Sequence, residues 1–285
     1  MKFTKMHGIS NDYIYVNGAT EKVEDKKAAA IALSDRHTGI GSDGIIFINP
    51  SDRADFEMEM YNSDGSRAEM CGNGIRCVAK YVYDKGLTKK RRIDIDTLAG
   101  VKTLDLEVDE ATDTVTSVRV NMGAPIIKPG DIPCIPSFFE GCDGDSVIGL
   151  PLEVEGKKYS VSCISVGNPH VIVPWDTDLE SLDIEKTGPS FENHPAFPNR
   201  INTEFIRVID RNTVAMRVWE RGAGETMACG TGATAVAVAC ILGGLTENRV
   251  TVKLLGGNLT IEWDGNTDSP VFMTGGATTV FEGEV

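Results

Sequence analysis

A chain of 285 residues, 41% hydrophobic and 25% charged, has room for two ordinary domains and the balance of a globular protein. Its formal charge of −14 argues against a nucleic-acid binder, which needs a basic stripe, and no apolar run reaches the roughly 18 residues of a membrane-crossing helix. The seven cysteines form no CxxC pair, and residues 1–7 lack the apolar core of a secretory signal, so reduced thiols in the cytoplasm and no metal framework are expected.

Strands are expected at 2–6 and 13–16, around a Gly-Ile-Ser-Asn-Asp turn, and a short helix over 25–35. Residues 45–48 read as a buried strand, 55–61 as an alternating strand and 62–65 as a turn. A helix follows over 72–85. Its apolar set, Ile75, Val78, Ala79 and Val82, has i, i+3, i+4, i+7 spacing, and Gly86 suits its C-terminal end. Strands are expected at 93–95, 101–108 and 115–120. The Pro/Gly-rich stretch 125–151 reads as a linker. Further strands at 159–164, 171–174, 204–209 and 213–219 precede a helix over 230–242, which is apolar nearly all round and must therefore be buried. The tail at 278–281 reads as an added strand.

The chain repeats itself. Cys71-Gly72-Asn73-Gly74 and Cys229-Gly230-Thr231-Gly232 lie 158 positions apart, each after an expected strand and at the head of an expected helix. At the same offset Phe56, Met58 and Met60 fall on Val214, Met216 and Val218, and Gly86-Leu87-Thr88 falls on Gly244-Leu245-Thr246. At an offset of 157, Asn11 falls on Asn168. A period of half the chain is too long for a solenoid and implies two like domains related by a pseudo-twofold axis. The expected fold is α+β, each domain a curved, mostly antiparallel or mixed sheet wrapped around one central helix. The expected domains are residues 1–124, with the tail 275–285 returning to them, and residues 125–274.

The thiolate is the reactive form of cysteine, and a helix N-terminus favours it through free N–H groups and the macrodipole. The same amides suit a carboxylate, and glycine lets a ligand approach the backbone. A pair of such turns suits inversion of a stereocentre, which needs a base on one face of a carbon and an acid on the other. This chemistry demands no cofactor, and no Walker-type loop suggests a nucleotide. The bland reading of a lone cysteine is a small core residue, which suits Cys77, Cys163 and Cys240. Cys134 and Cys142 have no assigned role.

Residues 7–13, Asn62-Ser63-Asp64-Gly65-Ser66, residues 70–77, Gly167-Asn168-Pro169-His170, residues 220–226 and residues 228–232 together resemble the diaminopimelate epimerase family, over nearly the whole chain. The resemblance implies a PLP-independent isomerase acting on a small amino acid, converting LL- to meso-diaminopimelate in lysine and peptidoglycan precursor synthesis, as a cytoplasmic homodimer without metal or cofactor. It implies Cys71 and Cys229 as the acid/base pair, assisted by His170 and Glu220. The amides of Gly72, Asn73, Gly230 and Thr231 would bind the reacting carboxylate. Asn11, Asn62, Asn168, Asn202, Glu220 and Arg221 would hold the remaining polar groups of the substrate. Taken singly, Asn11, Asn62 and Asn168 also suit turns, His170 a strand start, and Glu220 with Arg221 a solvated pair. The chain lacks the glutamine that some members place near residues 41–44, and Phe281 stands where many carry a tyrosine at the dimer contact. A racemase of proline, hydroxyproline or histidine, and a redox protein with a regulated Cys71–Cys229 disulfide, are the competing readings.

Overall fold

The computed structural model describes all of residues 1–285 and divides them into two compact units, residues 1–121 with 274–285 and residues 122–273. The first contains β1 (Lys2–Gly8), β2 (Asn11–Asn17), α1 (Lys26–Ser34), β3 (Gly44–Asn49), β4 (Phe56–Asn62), β5 (Arg67–Ala68), α2 (Gly72–Asp84), β6 (Arg92–Asp96), β7 (Lys102–Asp109) and most of β8 (Thr114–Gly123). The second contains β9 (Leu150–Val154), β10 (Lys157–Ser165), β11 (Pro169–Pro174), α3 (Ile184–Glu192), β12 (Asn202–Asp210), β13 (Thr213–Glu220), β14 (Gly224–Thr226), α4 (Gly230–Leu242), β15 (Arg249–Leu254), β16 (Gly257–Glu262) and most of β17 (Val271–Gly275). The last strand, β18 (Thr278–Glu284), belongs to the first unit and pairs antiparallel with β1 from Lys2↔Glu284 to His7↔Thr278.

The ladders repeat strand for strand. In the first unit β1 and β2 are antiparallel, β2 and β3 parallel, β3 and β4 antiparallel, β4 and β6 parallel, and β6 and β7 antiparallel. In the second, β10, β11, β12, β13, β15 and β16 follow the same sequence of orientations. Even the short strands match. Met60 pairs with Ala68 as Val218 pairs with Thr226, each 158 positions further on. These mixed sheets account for the alternation visible in β4 and β13, whose apolar members Met58, Met60, Met216 and Val218 face inward.

Helix α2 packs on β1, β2 and β7, and α4 packs on β10, β11, β12, β13, β15 and β16. The difference in wrapping matches their composition. Helix α4 buries every residue from Gly232 to Cys240, whereas α2 leaves Lys80 and Tyr81 partly exposed. Both helices end the same way: Gly86 (φ 71°) and Gly244 (φ 68°) take the left-handed conformation that glycine adopts without steric cost, and the next amide bonds back to Val82 or Cys240.

One expectation needs correction, and one helix went unforeseen. The stretch 125–151 is not a linker: Ile132, Cys134, Phe139 and Val147 join the core of the second unit, and Ile126 bridges to Ser165. Prolines and glycines there make tight turns rather than a free tether. Helix α3, hidden in sequence by Gly188-Pro189, is capped by the Asp183 carboxylate and lies on β13. A Cβ on Gly188 would meet the Trp219 ring at 2.4 Å, so only glycine permits this approach.

Candidate active site

Both reactive-type cysteines cap their helices. Cys71 and Cys229 hold extended backbone, and each sulfur accepts the amide of the residue three positions on, from Gly74 and Gly232, both at 3.3 Å. The sulfurs thus occupy the place of a capping oxygen and meet the positive end of a 13-residue helix.

In the N-terminal unit the Cys71 thiol donates to Asn11 Oδ1 at 3.2 Å, and Asn11 Nδ2 donates to Asp43 Oδ2 at 2.7 Å. Asp43 in turn takes a bond from Arg36, which also spans Asp12. The Tyr13 phenol lies beside the same thiol, and burial raises it well above its ordinary range. Arg76 is fully buried. It bonds to Gly72 O, Asn73 Oδ1 and Gly276 O, and burial lowers its affinity for its proton. Asn73 Oδ1 is therefore spent inside the helix start. Asn62 Nδ2 donates to Ser66 Oγ at 3.0 Å within the β4–β5 turn.

The surroundings of Cys229 are different in kind. Glu220 sits against the thiol, receives the Thr226 hydroxyl, and is raised by burial. His170 is fully buried and shares a 2.6 Å contact between Nδ1 and Glu204 Oε1. Asn168 connects the two sides: its Oδ1 lies 3.1 Å from His170 Nε2, and its Nδ2 donates to Thr231 Oγ1 at 3.2 Å. Burial pushes the Cys229 thiol well above its ordinary value, and the Glu220 and Glu204 carboxylates add to that, while the Thr231 hydroxyl and the Gly232 amide pull the other way. Asn202 is buried with both halves of its amide engaged, Nδ2 to Pro169 O and Oδ1 to the Arg221 amide, both at 2.9 Å. It holds the Arg221 backbone, whose exposed guanidinium reaches Asn199 O.

Within the N-terminal unit the structure thus gathers Asn11, Gly72 and Asn73 around Cys71, with Asn62 at the end of the strand leading to that helix. Within the C-terminal unit it gathers Asn168, His170, Glu220, Gly230 and Thr231 around Cys229, with Asn202 and Arg221 one layer further out. Sequence reasoning missed Tyr13, Asp43 and, above all, Glu204. A glutamate at the start of the expected strand 204–209 carries no local mark of burial. The repeat held the signal: Ile46 is the counterpart of Glu204, so a carboxylate stands where the sister domain buries an isoleucine.

The duplicated fold, with a thiol heading the central helix of each half, defines the class. The fold alone is shared with a Bacillus anthracis phenazine biosynthesis protein of the PhzF family (17% identity, 100% of this chain and 98% of that one, TM-score 0.69) and with a probable proline racemase from Agrobacterium radiobacter K84 (12%, 100% and 92%, TM-score 0.67). At the level of sequence, the family model described as Diaminopimelate epimerase matches residues 3–128 and 162–280. The diaminopimelate epimerase of Acetivibrio thermocellus is 55% identical over 100% of this chain and 98% of its own length. The chain belongs to the diaminopimelate epimerase family and is an isomerase.

Proposed function

We propose that this protein interconverts LL-2,6-diaminopimelate and meso-diaminopimelate, without PLP or metal, by a two-base exchange between Cys71 and Cys229, supplying lysine and peptidoglycan precursors. The observation that carries this reading is the matched pair of sulfurs at the N-termini of α2 and α4, each accepting an amide at 3.3 Å. One thiolate removes the α-proton and the other thiol returns a proton to the opposite face; the roles swap with direction. The amides of Gly72, Asn73, Gly230 and Thr231 are suited to the substrate carboxylate, whose charge grows as the α-carbon loses its proton. Glu220 and His170 serve Cys229 as neighbouring proton groups. Arg221 suits the distal carboxylate, with Asn202 fixing its backbone, and Asn11, Asn62 and Asn168 supply the remaining polar contacts. The richness of this polar set favours a substrate charged at both ends over proline or hydroxyproline.

The reading extends to a cytoplasmic homodimer. Val280 and Phe281 leave over 40% of their surface exposed on β18, an apolar strip that a second copy would cover. No helix is long and apolar enough to cross a membrane. Sedimentation of wild type and Phe281→Glu tests the dimer, with a monomeric wild type opposing it. Fractionation of the producing cells tests the compartment.

The decisive assay is NMR of diaminopimelate in heavy water with no added cofactor. Wild type should exchange the α-hydrogen and equilibrate the epimers. Cys71→Ala and Cys229→Ala should each lower epimerisation by about 10³-fold or more. Full activity in either variant overturns the two-base scheme.

A further inference from the structure

The carboxylate of Glu204 touches none of the groups assigned above except His170, yet it is buried with that imidazole at 0% exposure for both side chains. Its other oxygen, Oε2, is buried with no hydrogen-bond partner. A half-satisfied buried carboxylate is costly, and most strands would place an apolar residue there, as the sister domain does with Ile46. The cost points to a role.

From Glu204 a continuous line of contacts runs to the Cys229 sulfur, all within the C-terminal unit. Glu204 Oε1 meets His170 Nδ1 at 2.6 Å, and His170 Nε2 meets Asn168 Oδ1 at 3.1 Å. Asn168 Nδ2 meets Thr231 Oγ1 at 3.2 Å, and Thr231 Oγ1 meets Cys229 Sγ at 3.5 Å. The Asn168 NH2 donates to Thr231 Oγ1, which leaves the threonine hydroxyl hydrogen free to meet the sulfur. The buried carboxylate anchors the His170 ring at Nδ1, and the ring holds Asn168 through Nε2. Without that anchor the ring, Asn168 and the Thr231 hydroxyl lose their fixed places.

We infer that Glu204 is a positioning residue for the C-terminal thiol: by anchoring His170 it fixes Asn168 and, through Asn168, holds the Thr231 hydroxyl beside Cys229. The inference rests on the assignment of Cys229 as one of the two acid/base groups. It also gives the Thr231 side chain a task separate from its backbone amide. Gly232 fits the same arrangement, because a Cβ there would lie 2.6 Å from Glu204 Oε1.

The test compares wild type with Glu204→Gln, Thr231→Val and Thr231→Ser. Iodoacetamide alkylation of Cys229 at neutral pH is followed by peptide mass mapping, with Cys71 in the same molecules as internal control, and kcat and KM are measured in both directions. Glu204→Gln and Thr231→Val should each slow alkylation of Cys229 by about tenfold, leave Cys71 within about twofold, and lower kcat by about tenfold or more with little change in KM. Thr231→Ser, which keeps the hydroxyl, should alkylate Cys229 within about twofold of the wild-type rate. A bare electrostatic effect of Glu204 on the sulfur predicts the opposite sign, faster alkylation in Glu204→Gln, and that result overturns the inference, as does an unchanged rate. If Glu204→Gln does not fold, Thr231→Val decides alone. An inactive Cys229→Ala beside an unaltered Glu204→Gln and Thr231→Val removes the relay and leaves the two-thiol reading standing; an active Cys229→Ala removes both.

Discussion

Helices α2 and α4 begin alike, with an extended cysteine, a sulfur accepting an amide at 3.3 Å and a Gly-x-Gly turn, yet the groups around the two sulfurs differ at nearly every equivalent position. Tyr13 stands where the other half has His170, Ile46 where it has Glu204, Asn62 where it has Glu220, and Arg76 where it has Thr234. One shared contact survives at the helix interior: Arg76 Nη1 and Thr234 Oγ1 each donate to the carbonyl four residues back, Gly72 O and Gly230 O. The N-terminal thiol is thus set among a tyrosine, an asparagine backed by the Asp43 carboxylate, and one buried cation, and the C-terminal thiol among two buried carboxylates and an imidazole. Duplication preserved the backbone cradle and let the electrostatics diverge. A symmetric reaction needs two thiols, but the substrate's two faces are not equivalent once its distal centre is held, so unequal surroundings are chemically useful.

Exchanging residues between the halves breaks this comparison most directly. Ile46→Glu should be the most damaging change, costing about 4 kcal/mol or more, because the carboxylate enters a fully buried site with a tyrosine rather than a histidine opposite it. Glu204→Ile should cost far less, since the desolvation removed offsets part of the orphaned imidazole. Chemical denaturation of both variants checks the asymmetry, and equal losses would count against it. Next in size is Arg76→Thr, which installs the sister residue. It should keep the bond to Gly72 O but leave a cavity and strand Asn73 Oδ1 and Gly276 O, for a loss of about 3 kcal/mol by the same measurement.

The helix glycines give a smaller and sharper contrast. A Cβ at Gly74 would sit 2.8 Å from Ile46 Cδ1, the free end of an apolar side chain, whereas at Gly232 it would sit 2.6 Å from Glu204 Oε1, which His170 holds in place. Gly74→Ala should therefore change stability by under about 1 kcal/mol, with the helix propensity of alanine offsetting the crowding. Gly232→Ala should cost about 2 kcal/mol and also slow turnover, because the oxygen it displaces is tied to the relay. Melting curves beside kcat for the two variants separate these outcomes.

How far the sequence reveals this molecule follows from the nature of each signal. The two central helices, the strand before each and the repeat were readable because periodicity and glycine punctuation are local. Helix α3 was hidden because Gly188-Pro189 breaks its pattern, and the glycine answers to a distant partner, the Trp219 ring. Residues 125–151 looked like a tether because proline and glycine mark turns without saying whether the turns pack. The cysteines, His170 and Glu220 stood out by residue type. Glu204 did not, because a glutamate in a strand gives no local sign of burial; only its alignment with Ile46 marks it as unusual. Asn202 was legible as polar but not as a clamp, since its partners Pro169 and Arg221 lie 33 and 19 residues away.

Acid titration should resolve the two halves by sign. Asp12, in the N-terminal unit, is held below its ordinary value of 3.8: Arg36 and Lys5 outweigh a desolvation cost that acts the other way. Its contribution is present above the unfolded value and is lost as pH falls through the lower folded value. Glu220, in the C-terminal unit, is raised above 4.5 by burial. For a raised group the contribution is complete below the unfolded value and is lost as pH rises through the folded one, so lowering the pH from neutrality relieves this site. Hydrogen exchange resolved by unit should show the C-terminal unit gaining protection in mild acid before the N-terminal unit loses it below about pH 4. Asp12→Asn should flatten the acid-side loss and Glu220→Gln the mild-acid gain. Parallel loss in both units across the whole range would mean that the carboxylates of the two halves are not tuned in opposite directions.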